Sequence, residues 1–216
     1  MKIVIISDVH GKYRNLVIPE CDVLISCGDY SFKGEPHEVK DFHAWLDKQD
    51  AKYMISVQGN HELGVERNFQ LSKEIAEKAC PGVYFIDEGP IEIEGVKFWC
   101  SAITPFFFSW AWNRYRGAEI KKHWDLIPDD TDILVTHGPV YGILDHVLNS
   151  HHPQGEHVGC ADLLDRVKKL KKLKLHCCGH IHCGNGTVQI DGVTFINASI
   201  CDEQYKPSNK PYIFNI

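Results

Sequence analysis

Lys2-Ile3-Val4-Ile5-Ile6-Ser7-Asp8-Val9-His10 begins as a short β-branched run and breaks at a carboxylate and an imidazole two residues apart. A run of this kind reads as a strand buried on both faces. The pattern recurs four times. Asp22-Val23-Leu24-Ile25-Ser26 runs into Gly28-Asp29, and Tyr53-Met54-Ile55-Ser56-Val57 into Gly59-Asn60-His61-Glu62. Residues 132–136 run into His137-Gly138, and residues 173–178 into Gly179-His180-Ile181-His182. In open α/β sheets ligands gather outside the carboxyl ends of the strands, so the five polar clusters are expected to meet at one rim.

Together the clusters offer Asp, His and Asn donors with no obligatory thiolate. That set suits a pair of hard or borderline divalent ions such as Mn, Fe or Zn, and points to metal-assisted hydrolysis. Gly28, Gly59 and Gly179 each precede a candidate ligand, where a missing Cβ allows close backbone approach. The nine cysteines are read as reduced, buried small hydrophobes. Cys177 and Cys178 would point to opposite faces of a strand and so do not share an ion.

Helical spacing is expected over residues 35–49, 67–79, 110–123 and 159–173. The lysine-rich end of the last segment reads as the solvated face of an amphipathic helix rather than a nucleic-acid patch. Short strands are expected at 83–86, 91–93 and 96–101, with turns at Glu88-Gly89-Pro90 and Glu94-Gly95. A hairpin through Asp191-Gly192 and a last strand at 211–216 follow. Two mixed β-sheets, each covered by helices, make the economical α/β architecture. The 216 residues, 44% hydrophobic, are read as one domain. A net charge of −6 argues against a general grip on nucleic acid. The opening run is too short for a secretory signal, and no apolar run approaches a membrane span. A cytoplasmic monomer or homodimer without a membrane partner or a stable nucleic acid complex is the expectation.

With D-x-H, G-D, G-N-H-E, a lone His before Gly, and G-H-x-H in this order, the chain resembles the calcineurin-like metallophosphoesterase superfamily. The likeness extends along residues 1–216 to the small metallophosphoesterase-domain proteins of vertebrates, bacteria and phages. It is carried by Thr104-Pro105, Trp110-Ala111-Trp112-Asn113-Arg114, Thr136-His137-Gly138-Pro139, Gly155-Glu156-His157-Val158-Gly159-Cys160 and Ile196-Asn197-Ala198-Ser199. The resemblance implies a four-layer α/β/β/α sandwich forming a single metallophosphoesterase domain. It implies one metal on Asp8, His10, Asp29 and His182 and a second on Asp29, Asn60, His137 and His180, with Asp29 bridging. A hydroxide bridging two such metals would attack the phosphorus. His61 matches the family histidine that stabilises the transition state and protonates the leaving oxygen, a task suited to an imidazole. Glu62 is expected to orient it.

Protein phosphatases of the superfamily add two arginines, absent here from Gly28-Asp29-Tyr30-Ser31-Phe32-Lys33-Gly34 and Val57-Gln58-Gly59-Asn60. A monoester dianion gains more from guanidinium contacts than a diester monoanion, which favours a phosphodiesterase acting on a small diester, cyclic nucleotides first. A broad phosphomonoesterase, a nuclease and a metal-free interaction scaffold are the alternatives. Asn60, His61 and His157 are candidate substrate contacts. His151 and His152 share the His157 loop, and Arg114 and Arg116 meet either phosphate or acidic neighbours. Phe106-Phe107-Phe108, Trp110 and Trp112 are read first as core rings, with base stacking the other reading.

Overall fold

The computed structural model describes residues 1–148 and 153–216; His151 and His152 lie outside the described residues. Strands β1 (Lys2–Ile6), β2 (Cys21–Ser26), β3 (Ala51–Val57) and β4 (Tyr84–Ile86) run parallel and side by side. Next come β5 (Glu88–Ile93), β6 (Val96–Ser101) and a short pair, β7 (Thr104–Pro105) with β8 (Asn113–Arg114). Strand β9 (Ile133–Thr136) precedes a second short pair, β10 (His146–Val147) with β11 (Glu156–His157). The chain continues through β12 (Leu175–Cys178), β13 (Gly186–Ile190), β14 (Val193–Asn197) and β15 (Tyr212–Asn215).

Two mixed sheets result, in the orders β15-β1-β2-β3-β4 and β13-β14-β12-β9-β6-β5. In each the central strands are parallel, and β15, β13 and β5 pair antiparallel at edges. The burial follows this plan. The central runs Val23-Leu24-Ile25 and Ile133-Leu134-Val135 are fully buried, whereas β5 alternates as a half-buried strand does. Both sheets feed one apolar cluster that includes Ile5, Leu24, Phe98 and Leu134. Ser7 joins them: its N–H donates to the Ala198 carbonyl at 3.0 Å, and its own carbonyl accepts from Ile200 at 2.8 Å. The polar end of β1 is thereby laid against the second sheet.

Helix α1 (Pro36–Leu46) starts with Glu35 and Glu38 as a capping box and buries Val39, Phe42, His43 and Leu46. The expected 67–79 helix is two pieces, α2 (Leu63–Arg67) and α3 (Phe69–Ala79), because Asn68 turns out of helix and caps α3 through Leu71 N–H. The expected 110–123 helix is corrected to α4 (Ala118–Trp124): Trp112 at φ 59° and Gly117 at φ 82° break the pattern, and residues 113–114 pair as a strand. The 159–173 helix shortens to α5 (Ala161–Val167), and Leu170 and Leu173 reach the core from turns. Glu88-Gly89-Pro90, expected as a turn, begins β5, where an edge position tolerates the missing proline N–H.

Candidate metal centre

Five strand ends deliver the polar clusters to one place. Asp8 and His10 follow β1, Asp29 follows β2, Asn60 to Glu62 follow β3, His137 follows β9, and His180 and His182 follow β12. Asp8, His10, Asp29 and His180 all adopt left-handed backbone, with φ between 38° and 68°. Non-glycine residues hold that conformation only where the surroundings impose it, and it turns each side chain back toward the rim. Close approach is secured by glycine. A Cβ on Gly179 would lie 2.0 Å from both Asp8 Oδ2 and Ser7 Oγ, and one on Gly59 would lie 2.3 Å from Asp29 Oδ1.

Ligand atoms of Asp8, His10 and His182 lie within 4.8 Å of one another, as do those of Asp29, His137 and His180, and those of His10, Asp29 and His61. Asp29 belongs to two of these groups with different oxygens: Oδ1 is 3.4 Å from His137 Nε2 and Oδ2 is 3.9 Å from His10 Nε2. The His10 and His182 Nε2 atoms are 3.2 Å apart, and His182 Nε2 stands 3.5 Å from Asp8 Oδ1. His137 Nε2 lies 2.8 Å from Asn60 Oδ1.

The outward nitrogens explain this crowding. His10 Nδ1 donates to the Ser31 carbonyl, His137 Nδ1 to Cys27 and His182 Nδ1 to Asp202, at 3.3, 2.8 and 2.8 Å. These bonds use the Nδ1 protons and leave each Nε2 as the ligand atom, the arrangement that orients metal-binding imidazoles. Carboxylate oxygens, an amide oxygen and imidazole Nε2 atoms therefore converge on one another at 2.8 to 3.9 Å. Among the described residues, buried Asp8 Oδ1 has no hydrogen-bond partner. Acceptors packed this way repel unless positive charge sits between them, and oxygen with imidazole donors suits divalent Mn, Fe or Zn. The residues present fit such ions.

Protonation shows the same demand for positive charge. Burial alone would push the Asp8 and Asp29 carboxyls up, but His182 beside Asp8 and His137 beside Asp29 hold both well below the usual carboxylate range. Burial likewise opposes charge on His137 and His182, yet Asp29 and Asp8 lift them to about 9. His180, buried and next to His137, is pushed down to about 3.

Around the centre stands a ring of supports. Ser199 Oγ lies 2.9 Å from Asp8 Oδ2 and 2.8 Å from Asn197 Oδ1, and the Asn197 amide donates to the Ile181 carbonyl at 2.8 Å. Glu62 accepts from the N–H groups of Asp29, Ser31 and Gly59 and from the Ser31 hydroxyl, at 2.7 to 3.1 Å. Burial and the Asp29 charge push its carboxyl up to about 8, against the four donors that favour the anion. The expected orienting contact from Glu62 to His61 is thus corrected: Glu62 is consumed in fixing the loops after β2 and β3. His61 is instead held by the Phe32 carbonyl, which accepts from Nδ1 at 3.0 Å, and by Trp110, whose ring stacks on it at 4.4 Å. His61 Nε2 faces Asp29 Oδ2 at 4.0 Å.

A cleft over the centre is lined by Asp29, Asn60, His61, His180 and His182 together with Phe107, Trp110 and Tyr205. His157 is not among its lining residues. Its Nδ1 bonds Asp145 Oδ1 at 2.6 Å, and in the short β10–β11 pair it stands opposite His146. Arg116 grips the Val158 and Gly159 carbonyls at 2.6 and 2.8 Å, and Arg114 binds the Asn113 carbonyl. Of the aromatic block only Trp112 is core; Phe106 and Phe108 are exposed, 45% and 74%, and Phe107 lies edge-on to His180 at 4.9 Å. The reason is local: Asn113 Nδ2 bonds the Phe107 and Phe108 carbonyls and holds their turn outward. Tyr205 escaped the sequence reading. Asp202 Oδ1 accepts from Gln204 and Lys206 N–H and makes the tight turn that brings the Tyr205 ring 4.8 Å from His10.

Comparison with known proteins gives the family and the fold. The family model for calcineurin-like phosphoesterases matches residues 1–184. Human metallophosphoesterase domain-containing protein 1 is 32% identical over 234 residues, spanning 100% of this chain and 71% of its own length. A UPF0046 protein of Caenorhabditis elegans is 34% identical over 235 residues, spanning 100% of this chain and 81% of its own length. Among solved structures, phosphopantetheinyl hydrolase from Mycobacterium tuberculosis shares the fold with a TM-score of 0.61 at 17% identity, over 98% of this chain and 93% of that one.

Proposed function

The chain belongs to the calcineurin-like phosphoesterase family, whose members hydrolyse phosphoesters with divalent metals, and from there we propose that it is a dinuclear metal-dependent phosphodiesterase acting on a small organic diester. Cyclic nucleotides are the leading substrate class. The observation that carries this reading is the acceptor-rich cluster around Asp29, in which seven Asp and His residues from five strand ends share three overlapping ligand groups.

Asp8, His10, Asp29 and His182 would hold one ion, and Asp29, Asn60, His137 and His180 the other. When bound, such ions polarise the phosphate and activate water for in-line attack. The chain supplies the rest. With Nδ1–H committed to the Phe32 carbonyl, His61 in its imidazolium form presents Nε2–H to the cleft, gives that proton to the departing oxygen and is left as the neutral Nδ1–H tautomer. Asn60 directs its side-chain oxygen into the centre, and Glu62 keeps the loops bearing Asp29 and Asn60 in register.

Diester over monoester is supported by the cleft's charge. Among the described residues lining it there is no Arg or Lys, while Glu203 adds a carboxylate. A dianionic monoester would meet no guanidinium there, whereas a singly charged diester asks for less neutralisation. Steady-state hydrolysis of bis-p-nitrophenyl phosphate and p-nitrophenyl phosphate with added Mn tests the choice. The expected result is a kcat/KM at least about tenfold higher for the diester, a margin of roughly 1.4 kcal/mol in barrier. A monoester preference would replace this reading with a phosphomonoesterase, and protein that retains no metal and hydrolyses neither compound would leave the scaffold.

A further inference from the structure

The cleft over the centre does not end at His180. It runs on into an apolar trough that shares Phe107, Phe108, Val147, His180 and Ile181 with it. Phe106, Phe107 and Phe108 line it from one segment of the chain, and Pro139, Val147 and Val158 from another.

Both segments are anchored. In the aromatic one, Phe106 N–H donates to the Arg114 carbonyl at 2.8 Å, the Phe106 ring stacks on Tyr115 at 4.7 Å, and Asn113 holds the next two carbonyls. In the other, fully buried Asp145 accepts from Gly142 and Gly159 N–H, both at 2.9 Å, while its carbonyl takes Val158 N–H. Arg116, the one cationic residue among the described residues lining the trough, has its guanidinium engaged by the Val158 and Gly159 carbonyls, and Glu156 adds a carboxylate to the lining. Exposed phenylalanines held open in this way keep apolar surface in water, which is unfavourable unless something covers it.

We infer that the trough receives the ester arm of the substrate that stays on phosphorus, and that this arm carries no negative charge and presents an apolar face. This inference rests on the phosphodiesterase reading. The choice of arm follows from placement. His61, the proton donor for the departing oxygen, sits among His10, Trp110 and Tyr205, whereas the trough opens beside His180. An in-line displacement puts the departing group next to the acid, so a group on the His180 side is the one retained.

The test uses three p-nitrophenyl diesters with one leaving group and one phosphate charge, differing in the second arm: methyl, butyl and 3-carboxypropyl. The Mn-loaded protein is expected to show a kcat/KM about tenfold higher for butyl than for methyl, the effect of three roughly half-buried methylenes. The carboxypropyl ester is expected to fall back to the methyl value or below. In Phe106→Ser and in Val158→Asn, each verified for Mn content, the butyl-to-methyl ratio is expected to drop toward one. A ratio near one in the unmodified protein, a carboxypropyl ester as good as butyl, or a ratio undiminished in both variants overturns the inference while leaving diester hydrolysis standing. No turnover of any of the three removes the phosphodiesterase reading and the inference together.

Discussion

Trp110 lies face to face with His61, ring centroids 4.4 Å apart and planes inclined by 28°, while the Phe32 carbonyl takes the His61 Nδ1 proton at 3.0 Å. One contact limits tilt and the other limits rotation, so the imidazole is aimed before substrate arrives. The peptide after Trp110 is tied to the same loop, since Ala111 N–H donates to the Asn60 carbonyl.

If Trp110 positions the acid, Trp110→Ala should lower kcat by about tenfold or more on an alkyl diester whose alkoxide needs a proton to depart. Turnover of a p-nitrophenyl diester, whose leaving group needs none, should fall far less. KM and Mn content should hold, and Trp110→Phe should restore most of the loss. Equal losses on both leaving groups would reduce Trp110 to packing.

The division between ligand and acid is checked by two substitutions. Asp29→Ala should abolish Mn binding and hydrolysis together. His61→Ala should keep its metal and lose about 10²- to 10⁴-fold in turnover, the usual range for a general acid. Elemental analysis of both purified variants beside their kinetics decides it, and equal metal loss in the two would contradict the split.

Ser199→Ala deletes the hydroxyl 2.9 Å from Asp8 Oδ2 without touching a ligand. Supports of this kind are worth about 10- to 100-fold in metal affinity. Half-maximal activation should shift to higher Mn concentration by that factor, and saturating Mn should recover most of the rate. An unshifted activation curve would show that the hydroxyl is idle.

Gly179→Ala forces a methyl to 2.0 Å from Asp8 Oδ2 and Ser7 Oγ, both buried. Overpacking of this severity should cost at least about 2 kcal/mol, or roughly 4 to 8 °C in Tm for a chain of this length. Thermal unfolding measures the first effect, and loss of Mn binding reports the displaced Asp8.

Stability should fall on the acid side for a reason remote from the centre. Burial pushes His43 down to about 4 and His176 down to about 3 from an ordinary 6.5. His43 is neutral in the fold: Nδ1 donates to the Val39 carbonyl at 2.7 Å, and Nε2 accepts from the Ser56 hydroxyl at 3.0 Å. The unfolded chain takes up a proton near pH 6.5 that the folded chain refuses until about pH 4. The stabilisation is therefore complete above pH 6.5 and is lost progressively as pH drops toward 4. Between pH 7 and pH 5, His43→Gln should lose about 2 kcal/mol less than the unmodified protein in denaturant titrations. Parallel losses would show that His43 takes up its proton in the fold as readily as in the unfolded chain.

Central parallel strands announce themselves because both faces are buried, so their residues form unbroken apolar runs that stop where the ligands begin. That made the five strand ends, and with them Asp8, His10, Asn60 and His137, readable in advance. The supports were harder. The carbonyls of Cys27, Ser31, Phe32 and Asp202 aim four imidazoles, and a carbonyl belongs to every residue alike, so no letter marks it. Trp110 and Phe108 misled for a related reason: an aromatic side chain reads as core until the polar bonds that hold its turn outward, here from Asn113, are seen. Helix ends at Gly117 and Val167 were decided by local turns that apolar spacing alone does not register.

The left-handed corners at Asp8, His10, Asp29 and His180 carry one more implication. Each is a place where glycine would relax the backbone while deleting a ligand, so durability and reactivity pull in opposite directions at the same four codons. Selection for heat resistance alone should erode these positions first, and a library meant to harden the protein without silencing it should leave them untouched.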